Sequence, residues 1–340
     1  MTDSGAPITR LGFLTLVPFD PADPAPGLES GIRTIERGES LGYDIAWTRT
    51  RHLQFGLPSP AVFLAAAAQR TSRIGLGTAV IPTGFENPFR LAEDLAVADL
   101  LSGGRLEPGV SVGAPHHYDE IGEALHGSSR DAQDFGYERV DALLAFLRGE
   151  EFADIAGTEG IEQYSNRIEP HSPGLVQRVR YGVGSLRSAE WAGSRGLGIL
   201  LSNISTGEGT DDFAASQVGQ IERYRASLAP GAAPRIAQGR VVLPTDHATP
   251  EQRAKYEAYA EARTPRTLAP IGRRRTLIAR DLVGPSELIA ERLAEDASFR
   301  EVDEFFLELP FVFDEPDFAQ LLEDAAGELA PRLGWSPATS

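Results

Sequence analysis

The sequence predicts an α/β fold, a (β/α)8 TIM barrel with insertions in the loops after strands 4 and 7. Three observations carry that reading. Eight short apolar runs, each too short for a helix, recur along the chain. Longer stretches with apolar residues at three- and four-residue steps lie between them. Residues 72–113 then show the repeating unit in one piece, as strand, loop, helix, turn and strand. A strand, a helix and a strand in about forty residues make one βαβ unit, so its strands are parallel neighbours joined by a right-handed crossover. Eight such repeats are the pattern of a TIM barrel. A doubly wound open sheet shares the alternation, and periodicity does not separate the two.

Taken in order, residues 11–17 (LGFLTLV) read as a buried first strand and residues 28–41 as a helix. GYDIAWTRT, from Gly42, is the second strand. A helix over 59–69 follows, with Ser59 as N-cap and Pro60 at its first position, where a missing N–H costs nothing. The third strand, 74–80, is uncharged and rich in β-branched residues. Pro82, Gly84, Asn87 and Pro88 break the chain before the helix of Phe89, Leu91, Leu95 and Leu100. Ser102, Gly103 and Gly104 stop that helix, and 106–112 is the fourth strand. A long helix is expected over 131–148, with Val140, Leu143, Leu144 and Leu147 on its apolar face. Strand five is 179–183, with a helix over 188–195; strand six is 197–201, with a helix over 212–226. Strand seven is 236–243, followed by helices over 249–262 and 286–295, and strand eight is 304–309. The tail after Gly334 reads as frayed.

Two connections are long. Residues 149–177 are polar and turn-rich, and residues 264–282 are rich in arginine and proline. Segments of this length inside a compact domain are either lids and binding loops or plain surface excursions.

Composition narrows the function. The chain has 340 residues, enough for one large barrel or two ordinary domains. Its formal charge of −17 argues against non-specific binding to nucleic acid or to anionic membranes. Cysteine is absent, which excludes disulfides and thiolate chemistry and suits a cytoplasmic protein. Neither a transmembrane run nor a secretory leader is read from the sequence. Lys255 is the only lysine among 32 basic residues, which reads as a coding bias.

The active site of such a barrel lies at the C-terminal strand ends. Here these are Val17 to Phe19, Arg49 to His52, Thr78, Ala79 and Val80, Val112 and Gly113, Gly184 and Ser185, Ser202 and Asn203, Pro244 and Thr245, and Pro310. That set is poor in acids and has no metal-ligand spacing, so no metal is expected. An apolar, glycine-rich rim suits a flat aromatic cofactor that brings its own chemistry. After strand five, Gly184 and Ser185 turn the chain into a helix whose free N–H groups make an anion site, with Ser188 and the Arg187 fork beside it. The same residues also make an ordinary capped helix. His52 is a candidate general acid–base or hydrogen-bond donor, or a histidine satisfying loop backbone. Arg51 is placed to meet an anionic substrate or a barrel carboxylate. His116, His117 and Tyr118 form a further rim candidate.

The wording of four segments resembles the luciferase-like flavin-dependent oxidoreductases, the family of bacterial luciferase and two-component alkane monooxygenases. GTAV, NPFRLAED and LSGGRLEPGV, all between residues 77 and 110, match that family nearly word for word. GSLRSAEWAGSRGL, from Gly184, is similar to the flavin-phosphate loop of luciferase alpha chains. The resemblance runs from about residue 8 to 310 and implies a single domain over 1–340, with a C-terminal helix and tail from 311. It implies FMN, reduced by a separate flavin reductase, which with O2 oxygenates a small organic substrate. It places the phosphate on Gly184, Ser185, Leu186 and Ser188, and a strained, non-prolyl cis peptide near Ala79 or Val80 under the flavin ring. Family members often carry an arginine where Val112 stands; Arg187 is expected to supply the missing charge. In the family's paired-histidine segment, His52 matches the second histidine and Arg51 replaces the first. The alternatives are F420-dependent hydride transfer on the same barrel and a flavin-binding protein without catalysis. Homodimerisation through the helices after strands two and three is the family expectation.

Overall fold

The computed structural model describes residues 8–337. Strand one, Arg10–Thr15, is buried and pairs in parallel with strand two, Ile45–Thr48, on one side, with Gly12 opposite Ile45. On its other side it pairs with strand eight, Glu304–Glu308, with Arg10 opposite Glu304. This first-to-last pairing is what an open doubly wound sheet lacks. From strand eight the ladder continues through strand seven (Ile236–Arg240), six (Gly198–Leu201) and five (Arg180–Val183), all parallel.

Strands three and four each come in two pieces. The third is Gly75–Thr78 and Ile81–Pro82; the fourth is Leu106–Glu107 and Gly109–Ser111, divided at Pro108, which has no N–H to donate. Lower half pairs with lower half (Leu76 with Leu106) and upper with upper (Ile81 with Val110). One ten-segment parallel sheet therefore curls back on itself, consistent with the expected barrel.

Strand eight shows how the interior is layered, because alternate residues of a strand face the same way. Glu304 is at the bottom, Phe306 in the middle and Glu308 at the top. At the bottom, Arg10 reaches Glu107 at 2.6 Å and Glu304 at 2.9 Å, and Arg180 reaches Glu304 at 2.8 Å and Glu107 at 3.1 Å. Arg180 is only 2% exposed, a burial tolerable because two carboxylates flank it. Above it lie Trp47 and Phe306, ring centroids 6.0 Å apart, with Leu14, Leu200 and Ala237. Two glycines make room for these rings. A Cβ on Gly77 would sit 2.2 Å from the Trp47 ring, and one on Gly239 2.3 Å from that of Phe306.

Helices cover the outside. Asn87 caps Pro88–Leu101 by accepting the Phe89 and Arg90 N–H groups. Ser59 stands at the N-cap of Pro60–Ala68, but its side chain makes no capping bond. The helix expected over 131–148 begins only at Glu138, because Asp134 accepts the Gly136 N–H in a turn just before it. A helix at Tyr118–His126 precedes that turn and was not expected. The tail also differs from expectation as far as it is described. Trp335 is buried and its indole donates to Asp44 at 2.8 Å, which pins the C-terminus beneath strand two. Residues 338–340 lie outside the described part.

The two long connections lie at opposite ends. Residues 149–177 carry a small hairpin, Gly157–Glu159 with Glu162–Tyr164, and are held below the sheet. There Ser172 donates to Asp99 at 2.5 Å, and Arg178 binds Asp99 and the Leu106 carbonyl. Residues 264–282 instead return to the top, where Thr276–Ile278 pairs with Ile204–Thr206, just beyond strand six.

Candidate active site

The upper strand ends enclose a cavity of about 380 Å³, floored by Leu14, Leu200 and Phe306. An outer cavity of about 600 Å³ adjoins it and shares Thr50, Arg51, Pro82, Ser111 and His116. Arg49 to His52, Ala79, Val80, Val112, Gly113, Gly184 and Ser202, among the strand ends named from the sequence, border these two cavities.

One wall is small and flat. Ala79 and Val80 line it, and the peptide between them is cis, as the sequence reading anticipated. Gly182 of strand five faces them; a Cβ there would lie 3.0 Å from Val80 Cγ1. Gly184 opens onto free space, with nothing within 4 Å of an added Cβ. Thr78 has another task. It is fully buried, and its hydroxyl donates to the Gly109 carbonyl at 2.7 Å and accepts the Gly109 N–H at 2.8 Å, tying strand three to strand four. Val112 lines the outer cavity as an uncharged residue; its N–H donates to the Tyr181 phenol oxygen at 3.2 Å.

The loop after strand five forms a capping box. Ser185 Oγ accepts the Ser188 N–H at 3.2 Å, and Ser188 Oγ accepts the Ser185 N–H at 3.0 Å. The hydroxyls that the sequence offered to an anion thus serve the helix Leu186–Ser194. The next amide is taken from outside: Leu186 donates at 2.6 Å to the carboxylate of Glu208, on the segment after strand six. A side-chain carboxylate on this first turn is a stand-in for a bound anion, since it uses the N–H and the helix dipole as a phosphate oxygen would. Arg187 is exposed and lies over the Tyr137 ring at 5.6 Å.

The segment after strand two is held by backbone bonds, from Arg49 N–H to Thr15 and from Arg51 N–H to Leu57. His52 stacks on Phe85, with centroids 3.9 Å apart and planes 17° apart. Its Nε2 is buried without a partner among the described residues, beside the outer cavity. Burial pushes the His52 pKa below the ordinary imidazole value, so the ring is neutral at pH 7. Arg49 approaches Glu308 at 3.8 Å, whereas the Arg51 Nε is buried without a partner among the described residues. Burial, and secondarily the charge of Arg49, lower the Arg51 pKa, and Glu308 opposes them only in part. Of the rim trio, His116 lines both cavities and His117 the outer one. Tyr118 turns away to donate to the Arg130 carbonyl at 2.7 Å.

Sequence reasoning missed Glu308, Glu208 and Arg274. Glu308 was detectable: EFFLEL places a carboxylate two residues after Phe306, on the inward face of a buried strand. Its Oε1 accepts the Asn203 N–H at 3.0 Å at the cavity wall. Glu208 and Arg274 arrive on loops, where no periodicity marks direction. No group of three or more His, Cys, Asp or Glu placed to hold a metal occurs among the described residues.

Known proteins bear on these residues. The family described as luciferase-like monooxygenase matches residues 9–301. Curated relatives include a 4-hydroxyprotoasukamycin monooxygenase of Streptomyces nodosus subsp. asukaensis, 32% identical over 50% of this chain and 44% of that protein. Another is a limonene 1,2-monooxygenase of Rhodococcus erythropolis, 27% identical over 55% of this chain and 48% of the relative. The matches thus span about half the length of these relatives. Among solved structures, monooxygenase RslO1 from Streptomyces bottropensis superposes with a TM-score of 0.67 at 22% identity, over 95% of this chain and 99% of the other. The oxygenating constituent of 3,6-diketocamphane monooxygenase from Pseudomonas putida, in complex with FMN, gives 0.65 at 17%, over 95% and 98%. A coenzyme F420-dependent tetrahydromethanopterin reductase from Methanopyrus kandleri gives 0.63 at 16%, over 96% and 100%. At these identities the structural likeness speaks for the fold alone.

Proposed function

The chain belongs to the luciferase-like monooxygenase family, and from that premise we propose that it is an FMN-dependent oxygenase on a closed (β/α)8 barrel, using reduced flavin and O2 to oxygenate a small organic substrate. The observation that carries this reading is the pairing of a flat wall with an anion-accepting helix end on one rim. Ala79, Val80 and Gly182 form the wall, and the Leu186 amide already holds a carboxylate. A flavin joins a planar ring to a phosphate, and the two features accept those two parts. Ala79, Val80 and Gly182 would border the ring; Gly184, Ser185, Leu186, Arg187 and Ser188 would surround the phosphate. When bound, reduced FMN supplies the electrons that activate dioxygen.

The chain's own groups then bind, orient and keep water out. Neutral His52 offers one N–H from a ring fixed by Phe85, a donor for an oxygen atom at the cavity mouth. Leu14, Leu200 and Phe306 keep the floor apolar. A separate reductase fits this scheme, as does a homodimer. Val62, Val97, Leu100 and Leu101, on helices Pro60–Ala68 and Pro88–Leu101, are between 42% and 69% exposed, a patch that a partner subunit would cover.

The test is an anaerobic titration with FMN, reduced FMN and F420, followed by admission of O2. Preferential binding of reduced FMN, with an absorbance transient on oxygenation, supports the proposal. Preference for F420, which the Methanopyrus fold neighbour uses, would move the protein to hydride transfer. Binding of none would remove the catalytic reading.

A further inference from the structure

The cavity mouth is positive in a protein that is otherwise strongly negative. Three arginines line it, Arg49 and Arg51 in the inner chamber and Arg51 and Arg274 in the outer one. One carboxylate, Glu308, faces them among the lining residues. Glu308 is partly committed, with Arg49 at 3.8 Å and one oxygen on the Asn203 amide. Among the described residues Arg51 forms no ion pair, and its Nε is buried without a partner. The contrast with the sheet's lower end is direct. There two arginines are matched by two glutamates at 2.6 to 3.1 Å. Arg10 and Arg180 thus have counter-charges in contact, although Arg180 Nη1 is itself without a partner among the described residues. A half-buried, unmatched guanidinium beside a second arginine is costly unless a ligand completes it.

We infer that the substrate is an organic carboxylate, its anionic group taken by the Arg51 fork near Arg49 and Arg274 and its apolar body laid on Leu14, Leu200 and Phe306. The inference deepens the oxygenase reading of the same site and rests on it. A planar guanidinium meets a carboxylate through two parallel N–H donors, which fixes orientation as well as charge. The flavin phosphate does not answer the same need. Its proposed seat is the loop after strand five, while Arg51 follows strand two; strands three and four separate them round the sheet. The lowered Arg51 pKa agrees with a cation short of counter-charge. Arg274 reaches the rim on the 264–282 connection, so an acid bound there would also touch that segment.

The experiment compares thermal stabilisation of the purified full chain, without flavin, by three acid–amide pairs at equal ionic strength. They are benzoate with benzamide, phenylacetate with phenylacetamide, and octanoate with octanamide. At least one acid should raise Tm about 2 °C or more above its amide. That increment should vanish in Arg51→Gln and be reduced but not abolished in Arg51→Lys, which keeps the charge and loses the fork. The wild-type comparison stands even if a variant folds poorly. The inference falls if no acid exceeds its amide, or if the increment survives in Arg51→Gln. It also falls if saturating FMN abolishes the increment, which would assign Arg51 to the flavin. A chain that stabilises with acids but binds no flavin keeps the anion site and loses the oxygenase reading, so the two failures are distinct.

Discussion

At the scale of single residues, Glu208 and His52 carry opposite lessons. Glu208 already occupies the amide that a flavin phosphate would use, so binding must displace one anion to admit another. Removing that competitor should help: Glu208→Gln is expected to tighten FMN about threefold, within the range for one charge at a helix N-terminus. Fluorescence titration measures it, and weaker binding would mean that Glu208 shapes the loop instead. His52 is fixed by stacking on Phe85 and kept neutral by burial. His52→Gln should cost about 10²-fold in turnover, while FMN affinity stays within about twofold. Because burial lowers the His52 pKa, the neutral ring persists through pH 7 and is lost only on the acid side of the usual imidazole value. Activity should therefore hold at neutral pH and fall on acidification, and that acid limb should disappear in the variant. The sequence named His52, Arg51, Ala79 and Val80 at the cavity because strand ends are where such sheets place chemistry. It could not reveal that the hydroxyl of Thr78 faces strand four, nor that Ser185 and Ser188 bond each other, since both depend on which way a side chain turns.

At the scale of elements, the most recognisable stretch of the chain is mostly framework. Asp99 is fully buried and accepts from Leu106 N–H, Ser172 and Arg178, joining helix Pro88–Leu101 to the foot of strand four. Arg105 donates to the carbonyls of Ala68, Thr71, Ile74 and Ser102. Gly103 and Gly104 adopt positive φ, of 71° and 84°, to make that turn. Buried parallel strands read as continuous apolar runs, which is why the fold was legible. The levels of the long connections follow from the helix that precedes each. Residues 149–177 leave the lower end of helix Glu138–Arg148, whereas Tyr118–His126 stays in the loop above strand four, and so they lie below. Two helices, Pro250–Arg263 and Ser286–Glu295, separate strands seven and eight, and the segment between them returns to the top, where Leu282–Gly284 pairs with Val242–Pro244. Replacing residues 157–164 with a short glycine-serine turn should therefore leave FMN affinity within about twofold and Tm within about 3 °C. Loss of flavin binding in that deletion, measured by the same titration, would contradict the placement below the sheet.

At the scale of the whole molecule, the two ends of the curled sheet are chemically opposite. The upper end keeps an unmatched arginine and an open chamber; the lower end is closed by two arginines and two glutamates in mutual contact. Stability and function are thereby separated along one axis, and a substitution at the foot should change folding without changing the site. Burial raises the Glu107 pKa, but Arg180 and Arg10 outweigh it and hold the carboxyl below its ordinary value. A carboxylate whose folded pKa is depressed adds stability above its unfolded value, and that contribution is lost as pH falls through the folded one. Glu107→Gln should therefore lower unfolding free energy at pH 7 by about 3 kcal/mol, the cost of leaving buried guanidiniums short of a partner. The gap between variant and wild type should persist through the ordinary carboxylate range and narrow only as pH falls further, through the depressed folded value of Glu107. Urea titrations followed by circular dichroism at pH 7 and at about pH 3 measure both quantities. An equal gap at the two pH values would mean that Glu107 acts by packing rather than by charge, and a parallel loss of FMN affinity would mean that the two ends of the sheet are coupled.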